Sequence, residues 1–350
     1  MLATKIIYGI YNSVKNILKS AYNFLTNFSG WYKDNLLAIK ENFAEIKYRF
    51  HNLSESNLKL GIYHLTQQNL TDAVIRFKLI DKFIKPGDNL ANYWLGWSYF
   101  LKNDINKALY HLGRAGKEDN VGLEYFARNY SNCQEIPEAI WQQYRNIIAD
   151  KWANINILEN KETYLPSLFA QYILKNINNL PDNYNILEIS TSIGMIGGEM
   201  RKRFPENFTL TGIEASENML DIIKANNSFN DKIYDYLIHS SSQNFVANYS
   251  NIQTPEKKFD IVISFLGLSF TSTPDKYLNF IYSILRYDGY VAICFAAGST
   301  TLYSTKKKEF VFDRATIEDS VTAEKLSLLE FREVILGINN KYYIYILKKL

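Results

Sequence analysis

Glu188, Ser190, Ser192, Gly194 and Glu214 are residues whose types and spacing could hold a cofactor. They fall in two short stretches. Asn185–Met200 reads NILEISTSIGMIGGEM, an apolar run ending in Glu188, a turn, and a helix opening around Gly194, Gly197 and Gly198. A second apolar run, Phe208–Ile213, ends in Glu214. A strand, turn and helix of this kind aim backbone N–H groups at a ligand beyond the carboxyl edge of a sheet. A carboxylate ending the next strand can accept hydrogen bonds from both hydroxyls of a ribose. As an alternative, Glu214 is an ordinary acid ahead of a helix, where the dipole favours it. The layout is that of a nucleotide-type cofactor site. Such a loop normally wants glycine at positions 190 and 192, because glycine takes positive φ freely and lets the backbone approach the ligand. Serine there predicts about 1–2 kcal/mol of strain if the loop must distort. The hydroxyls could instead bond an anionic end of the ligand, offsetting part of that.

The rest of the chain limits the chemistry. At 350 residues it can hold two or three domains, and its 47% hydrophobic and 21% charged content suits globular folding. A formal charge of +3 implies no general affinity for nucleic acid. Cys133 and Cys294 stand far apart, and His51, His64, His111 and His239 are dispersed, so neither a disulfide framework nor a metal cluster is expected. No apolar run is long enough to span a bilayer. Asn12 and Lys15 interrupt any signal-peptide core, which makes the cytoplasm the expected compartment.

Residues 1–50 carry an apolar stripe at helical spacing (Ile7, Ile10, Val14, Ile17, Ala21, Phe24, Phe28), broken at Ser29-Gly30 and resumed from Leu36. An amphipathic helical hairpin packed on the rest of the protein is expected. A basic amphipathic helix over residues 1–28 touching an anionic membrane is the alternative, and is not favoured. A repeat follows. Leu60-Gly61 and Ala73 return at the same interval as Leu95-Gly96 and Ala108, each within a helix, turn, helix unit. With Phe77, Tyr99 and Ala115 in place, residues 51–135 resemble tetratricopeptide repeats. The resemblance implies either a protein-binding face or a module that orients the next domain.

After a helical linker and lead-in over 136–180, strands and helices alternate: strands at Ile186–Ile189, Thr209–Ile213, Tyr236–His239, Asp260–Phe265 and Gly289–Ala296, with helices at Gly197–Phe204, Glu217–Ala225 and Lys276–Leu285. That order predicts a mainly parallel, doubly wound sheet. Phe331–Leu336 and Lys341–Lys349 read as a closing hairpin across Gly337–Asn340. Residues 181–350 therefore form an α/β Rossmann-like domain with a C-terminal antiparallel hairpin, behind an all-α N-terminal region.

The stretch GIEASENML at 212–220, FDIV at 259–262, and LRYDGY at 285–290 carry a family resemblance. In order and spacing they resemble a class I S-adenosylmethionine-dependent methyltransferase. The whole chain looks like the bacterial methyltransferases that carry tetratricopeptide repeats ahead of that domain. The resemblance implies S-adenosylmethionine as cofactor. It places Glu188 beneath the amino-acid end, Ser190, Ser192 and Gly194 in the loop, and Glu214 and Ala215 at the ribose. Met219 falls near the adenine, or is a core methionine; Ser240 falls where the family often has an acid facing the adenine amino group. Ser264 borders the methyl. The chain lacks the Asn/Asp-Pro-Pro-Tyr/Phe motif of amino-directed nucleic-acid methyltransferases, so a small molecule or a partner protein is the expected acceptor. No catalytic residue need be visible, because methyl transfer chiefly requires alignment. Tyr303, His239 and Asp313 are candidate substrate-side groups. Lys306-Lys307-Lys308 reads most simply as a solvated loop that could draw an acidic substrate. Two other functions stay open: a pseudo-methyltransferase scaffold, and, with less support, a nicotinamide oxidoreductase.

Overall fold

The computed structural model describes residues 16, 52–155, 164–177, 180–204, 207–226, 232–252, 254, 257–336 and 340–350. The hairpin expected over 1–50 and the turn at 337–339 therefore lie outside the described residues, save position 16. The chain divides into two compact units, Met1–Ser56 and Asn57–Leu350. Only the second is described at length.

Helices α1 (Leu53–Thr66) and α2 (Leu70–Leu79) form a hairpin, with one π turn at Ile80–Ile84 after it. Helices α3 (Asn89–Leu101) and α4 (Ile105–Ala115) form a second. The side chain of Asp88 accepts from the Ala91 N–H at 2.8 Å and that of Asp104 from the Lys107 N–H at 3.2 Å, which fixes where α3 and α4 begin. Both hairpins close on the same device. A Cβ added at Gly96 would lie 2.5 Å from Leu112 Cγ, and Gly61 is as tight against Phe77. A Gly96→Val substitution should therefore lower the stability of the helical region by about 2–3 kcal/mol, measurable as a shifted denaturant midpoint.

Helices α5 (Leu123–Asn129), α6 (Glu138–Ile155) and α7 (Tyr164–Asn176) lead to the sheet. The sheet domain runs β1 (Tyr184–Ile189), α8 (Met195–Arg203), β2 (Phe208–Glu214), α9 (Glu217–Asn226), β3 (Tyr236–His239), α10 (Ser242–Asn248), β4 (Phe259–Phe265), α11 (Asp275–Ile284) and β5 (Leu285–Ala296). A small hairpin follows, β6 (Leu302–Ser304) with β7 (Glu309–Val311), then α12 (Arg314–Ala323), β8 (Leu326–Leu336) and β9 (Asn340–Lys349). The seven main strands lie in the order β3-β2-β1-β4-β5-β9-β8. The pairs among β1 to β5 are parallel; β9 runs antiparallel to β5 and β8 to β9.

The central strands are apolar on both faces because both faces are covered. Leu187 and Ile189 of β1 pack with α11 and the helical hairpins, while Tyr184 and Ile186 pack with α7 and α8. One continuous core thus joins the hairpins to the sheet. Backbone seals the joint: the Ile136 N–H donates to the Phe270 carbonyl and the Ser272 N–H to the Gln134 carbonyl, each at 2.7 Å. No helix among the described residues is long and apolar enough to cross a membrane.

Some boundaries differ from the sequence expectation. Strand β5 starts at Leu285 because a bulge opposite Phe259–Ile261 and a left-handed Asp288 (φ 61°) let the chain enter the sheet early. Strand β8 starts at Leu326, which is buried, but the adjacent Leu328 and Leu329 are both exposed, so its first residues show little alternation. The β6–β7 hairpin and α12 had no clear sequence signal, as three-residue strands carry no usable period.

Candidate functional site

The chain steps from β1 outward through β2 and β3, then returns to add β4 and β5 on the other side of β1. The β1 and β4 ends are thus the point where a doubly wound sheet leaves a crevice. The loop after β1 sits there. Ser190 has φ 61°, Ser192 φ 56° and Gly194 φ 85°. Three alternate residues are left-handed, the backbone a glycine loop would adopt, although two are serines. Internal hydrogen bonds hold the turn, Thr191 N–H to the Ile213 carbonyl at 3.0 Å and Gly194 N–H to the Thr191 carbonyl at 2.9 Å. The strain at both serines is already met in the folded state, so a ligand need not impose it. The Ser190 hydroxyl lies 3.0 Å from that of Ser242 and donates to the Gly267 carbonyl at 3.3 Å.

Glu188 is turned beneath this loop. It is buried and accepts the Tyr234 hydroxyl at 2.8 Å. Burial pushes its carboxyl up to about 8. The Tyr234 ring fills the space under the loop so closely that a Cβ at Gly197 would come within 2.6 Å of its hydroxyl, and one at Gly212 within 2.7 Å of its ring. Glu188 and Tyr234 brace the loop from below and do not line the cavity above it.

Glu214 ends β2, buried, and both its oxygens are engaged. Oε2 accepts the Ser192 N–H at 2.8 Å and Oε1 the Ser216 N–H at 2.9 Å. Helix α6 crosses above. It brings the Arg145 guanidinium to 3.7 Å from Oε2 and sets Ile148 and Ala149 against Ile193 and Met219. Gln142 donates to the Ala215 carbonyl at 2.9 Å, and the Ser216 hydroxyl donates to the Asn146 side chain at 2.6 Å. Helix α6 lies within the stretch 136–180 expected to be only a helical linker and lead-in. One signal was present: Trp141, Tyr144, Ile148 and Trp152 form an apolar stripe at helical spacing, with Arg145 set into it.

A cavity of about 480 Å³ opens between α6, the Ser192 loop, the Phe265-Leu266 turn and the β6–β7 hairpin. Among the described residues its charged lining is Arg145, Lys151, Lys306 and Lys307, with Glu309 as the one acid. Burial pushes Glu309 up to about 7. The Lys307 ammonium nitrogen is buried 5.0 Å over the Tyr342 ring and has no hydrogen-bond partner among the described residues.

The structure brings Ser192, Glu214, Ala215 and Met219 together under α6, and Ser190 beside Ser242. Ser264 is buried at the end of β4, its hydroxyl without a hydrogen-bond partner among the described residues. Ser240 is buried at the end of β3 and accepts from Asn244 at 2.9 Å. The substrate-side candidates lie elsewhere. Tyr303 is buried against Phe126 and Tyr130 at the joint with the helices. Asp313 caps α12, accepting the Thr316 N–H at 3.0 Å. His239 contacts the Ala215 carbonyl through Nε2 at 3.0 Å. The lysine run is no solvated loop: only Lys306 is exposed, and Lys308 is buried, donating to the Asn103 side chain at 2.6 Å.

Residues 188–293 match the family model described as a methyltransferase domain. Over 172 residues the chain is 25% identical to malonyl-[acyl-carrier protein] O-methyltransferase 1 of Ilyobacter polytropus, covering 48% of this chain. The chain spans 60% of the length of that curated relative. Among solved structures, it is similar to magnesium protoporphyrin IX methyltransferase of Synechocystis (TM-score 0.48, 13% identity, 61% of this chain and 99% of that one). A methyltransferase from Aquifex aeolicus is also similar (TM-score 0.40, 15% identity, 52% and 89%).

Proposed function

We propose that the sheet domain transfers a methyl group from S-adenosylmethionine to an organic acceptor held in the cavity. The observation that carries this is the left-handed run at Ser190, Ser192 and Gly194, opening onto a cavity at the switch point of the sheet. The match of this segment to a methyltransferase domain supports it. The residues fit the cofactor: the loop already holds the required backbone, and each Glu214 oxygen keeps a lone pair beyond its one backbone donor for a ribose hydroxyl. Bound there, S-adenosylmethionine supplies a methyl group on a sulfonium, which departs leaving its bonding electrons on sulfur. Helix α6 and the Phe265-Leu266 turn exclude water and hold the acceptor in line. Glu309, near neutrality in its ionisation, can take the proton of an acceptor hydroxyl or amine. We read the two helical hairpins as tetratricopeptide-type repeats that orient this domain, with the outward Tyr63 and Tyr110 on them open to a protein partner.

A second reading, a scaffold that no longer binds the cofactor, draws on Arg145 at the Glu214 carboxylate and on Met219, sealed under α6. Calorimetric titration of the full chain with S-adenosylhomocysteine separates the two. Binding in the micromolar range is expected, and Arg145→Met should tighten it roughly tenfold by freeing the carboxylate. No heat at about millimolar ligand in either protein would leave the scaffold as the better description.

A further inference from the structure

Buried charge demands a counterpart, and the cavity holds one without a hydrogen-bonded counterpart among the described residues. The Lys307 ammonium nitrogen is shut away from solvent without a hydrogen-bond acceptor among the described residues. The face of Tyr342, 5.0 Å away, gives it a cation–π contact but no lone pair. Glu309 is within electrostatic reach, yet forms no ion pair with it within 4.0 Å among the described residues. A desolvated ammonium left so is unfavourable in general. Lys151 and Lys306 add positive charge around the same space, with Glu309 the one acid in its lining among the described residues, while Arg145 is countered by Glu214. Trp141, Tyr144 and Phe265 supply flat apolar walls beside them.

Position separates this charge from the cofactor loop. Lys307 lies over Tyr342 of β9, which pairs with Ala296 at the end of β5. In the order β1-β4-β5-β9 that is three strand steps from the Ser190–Gly194 loop, roughly 14 Å at ordinary strand spacing. The loop, through Ser192, is at one end of the cavity and the Lys307 ammonium at the other, with the Phe265-Leu266 turn of β4 between them.

From this geometry we infer that the cavity selects an acceptor bearing a carboxylate, seated on Lys307 with its apolar body between the aromatic walls. The word acceptor rests on the methyltransferase reading; the anion seat does not. Lys307 Nζ would turn from the Tyr342 face toward the cavity, and the carboxylate would replace the missing lone pair with a charge-assisted hydrogen bond. An uncharged analogue of the same shape would leave the ammonium as unpaired as before.

The test uses the full chain and two probes of one shape, phenylacetate and its neutral amide, phenylacetamide. Binding is read by calorimetry or ligand-observed NMR. The wild-type protein should bind the acid roughly tenfold or more tighter than the amide. Lys307→Arg should keep that preference and Lys307→Met should bring it to within about twofold. The affinity of all three proteins for S-adenosylhomocysteine should agree within about twofold. Equal binding of acid and amide to the wild type overturns the inference, as does no binding of either, or an undiminished preference in Lys307→Met. A parallel loss of S-adenosylhomocysteine binding in Lys307→Met also overturns it, since it assigns the ammonium to the cofactor's own carboxylate. Failure of all three proteins to bind S-adenosylhomocysteine, with the acid preference intact, defeats the methyltransferase reading and leaves the anion seat standing.

Discussion

Glu214→Gln should weaken S-adenosylhomocysteine binding by roughly a hundredfold and lower the stability of the protein by about 2–4 kcal/mol. The substitution keeps the shape and replaces one acceptor oxygen with a donor. Two backbone N–H groups, those of Ser192 and Ser216, meet the carboxylate from different sides. Whichever way the amide turns, its NH₂ faces one of them, and a buried donor is left unpaired. Arg145 loses its countercharge as well. The two consequences can be told apart. Adding Arg145→Met to the variant removes the stranded guanidinium, so stability should recover in part while binding should not. If Glu214→Gln binds the ligand within about threefold of the wild type, the ribose is not held at β2.

The second large effect is on pH. Glu188 carries a carboxyl pushed up from 4.5 to about 8 by burial, and Glu309 one pushed up to about 7. Between 4.5 and these values the folded protein holds protons that the unfolded chain has released, so stability falls as pH rises. His111 works in the opposite sense. Burial pushes it from 6.5 down to about 4, so its contribution grows with pH across that interval. The two acids outweigh it, and from pH 7 to 8 Glu188 acts alone among these groups. Above 8, Lys308 takes over: burial lowers it from 10.5 to about 8, so the unfolded chain binds the extra proton and stability rises again. Denaturant midpoints should therefore fall from about pH 5 to a minimum near pH 8 and then recover. Glu188→Gln should abolish the decline between 7 and 8, about 1.4 kcal/mol per pH unit for one group. It should make the protein more stable than the wild type at pH 8, by on the order of 3 kcal/mol. A decline of unchanged slope in that variant would show that Glu188 is ionised in the fold at neutral pH.

Much of this arrangement can be read along the chain, because it is local. The strand-end acids, the turn between them and the alternation of elements depend on residues close in sequence, and the β1 to β5 order follows from them. Ser190 and Ser192 are harder. Their identity suggests a damaged loop, whereas their φ angles are those of glycine. Hydrogen bonds from the strand beside them set those angles, and residue type alone does not record them. Helix α6 and Lys307 are harder still. Arg145 meets Glu214, and Lys307 meets Tyr342, only after the whole domain has closed. In the sequence the lysine run has the composition of a surface loop. Folding inserts Lys308 into the joint at Asn103 and carries Lys307 inward with it.

Tyr234 bears on how this sequence can drift. Its ring touches the space that a side chain at Gly197 or Gly212 would need, and its hydroxyl satisfies Glu188. The four positions therefore cannot change in any order. Enlarging either glycine first collides with the ring. Shrinking Tyr234 first clears only part of the room, since Thr191 still crowds Gly212 at 2.7 Å and Ile233 crowds Gly197 at 2.8 Å, and it takes the hydroxyl donor from a buried carboxyl. The passable route begins at Glu188: once an apolar or amide residue stands there, Tyr234 is released, and the glycines follow only when Thr191 and Ile233 give way as well. A lineage that has lost the strand-end acid should then tolerate a remodelled loop, while one that keeps it is held to this tyrosine and both glycines.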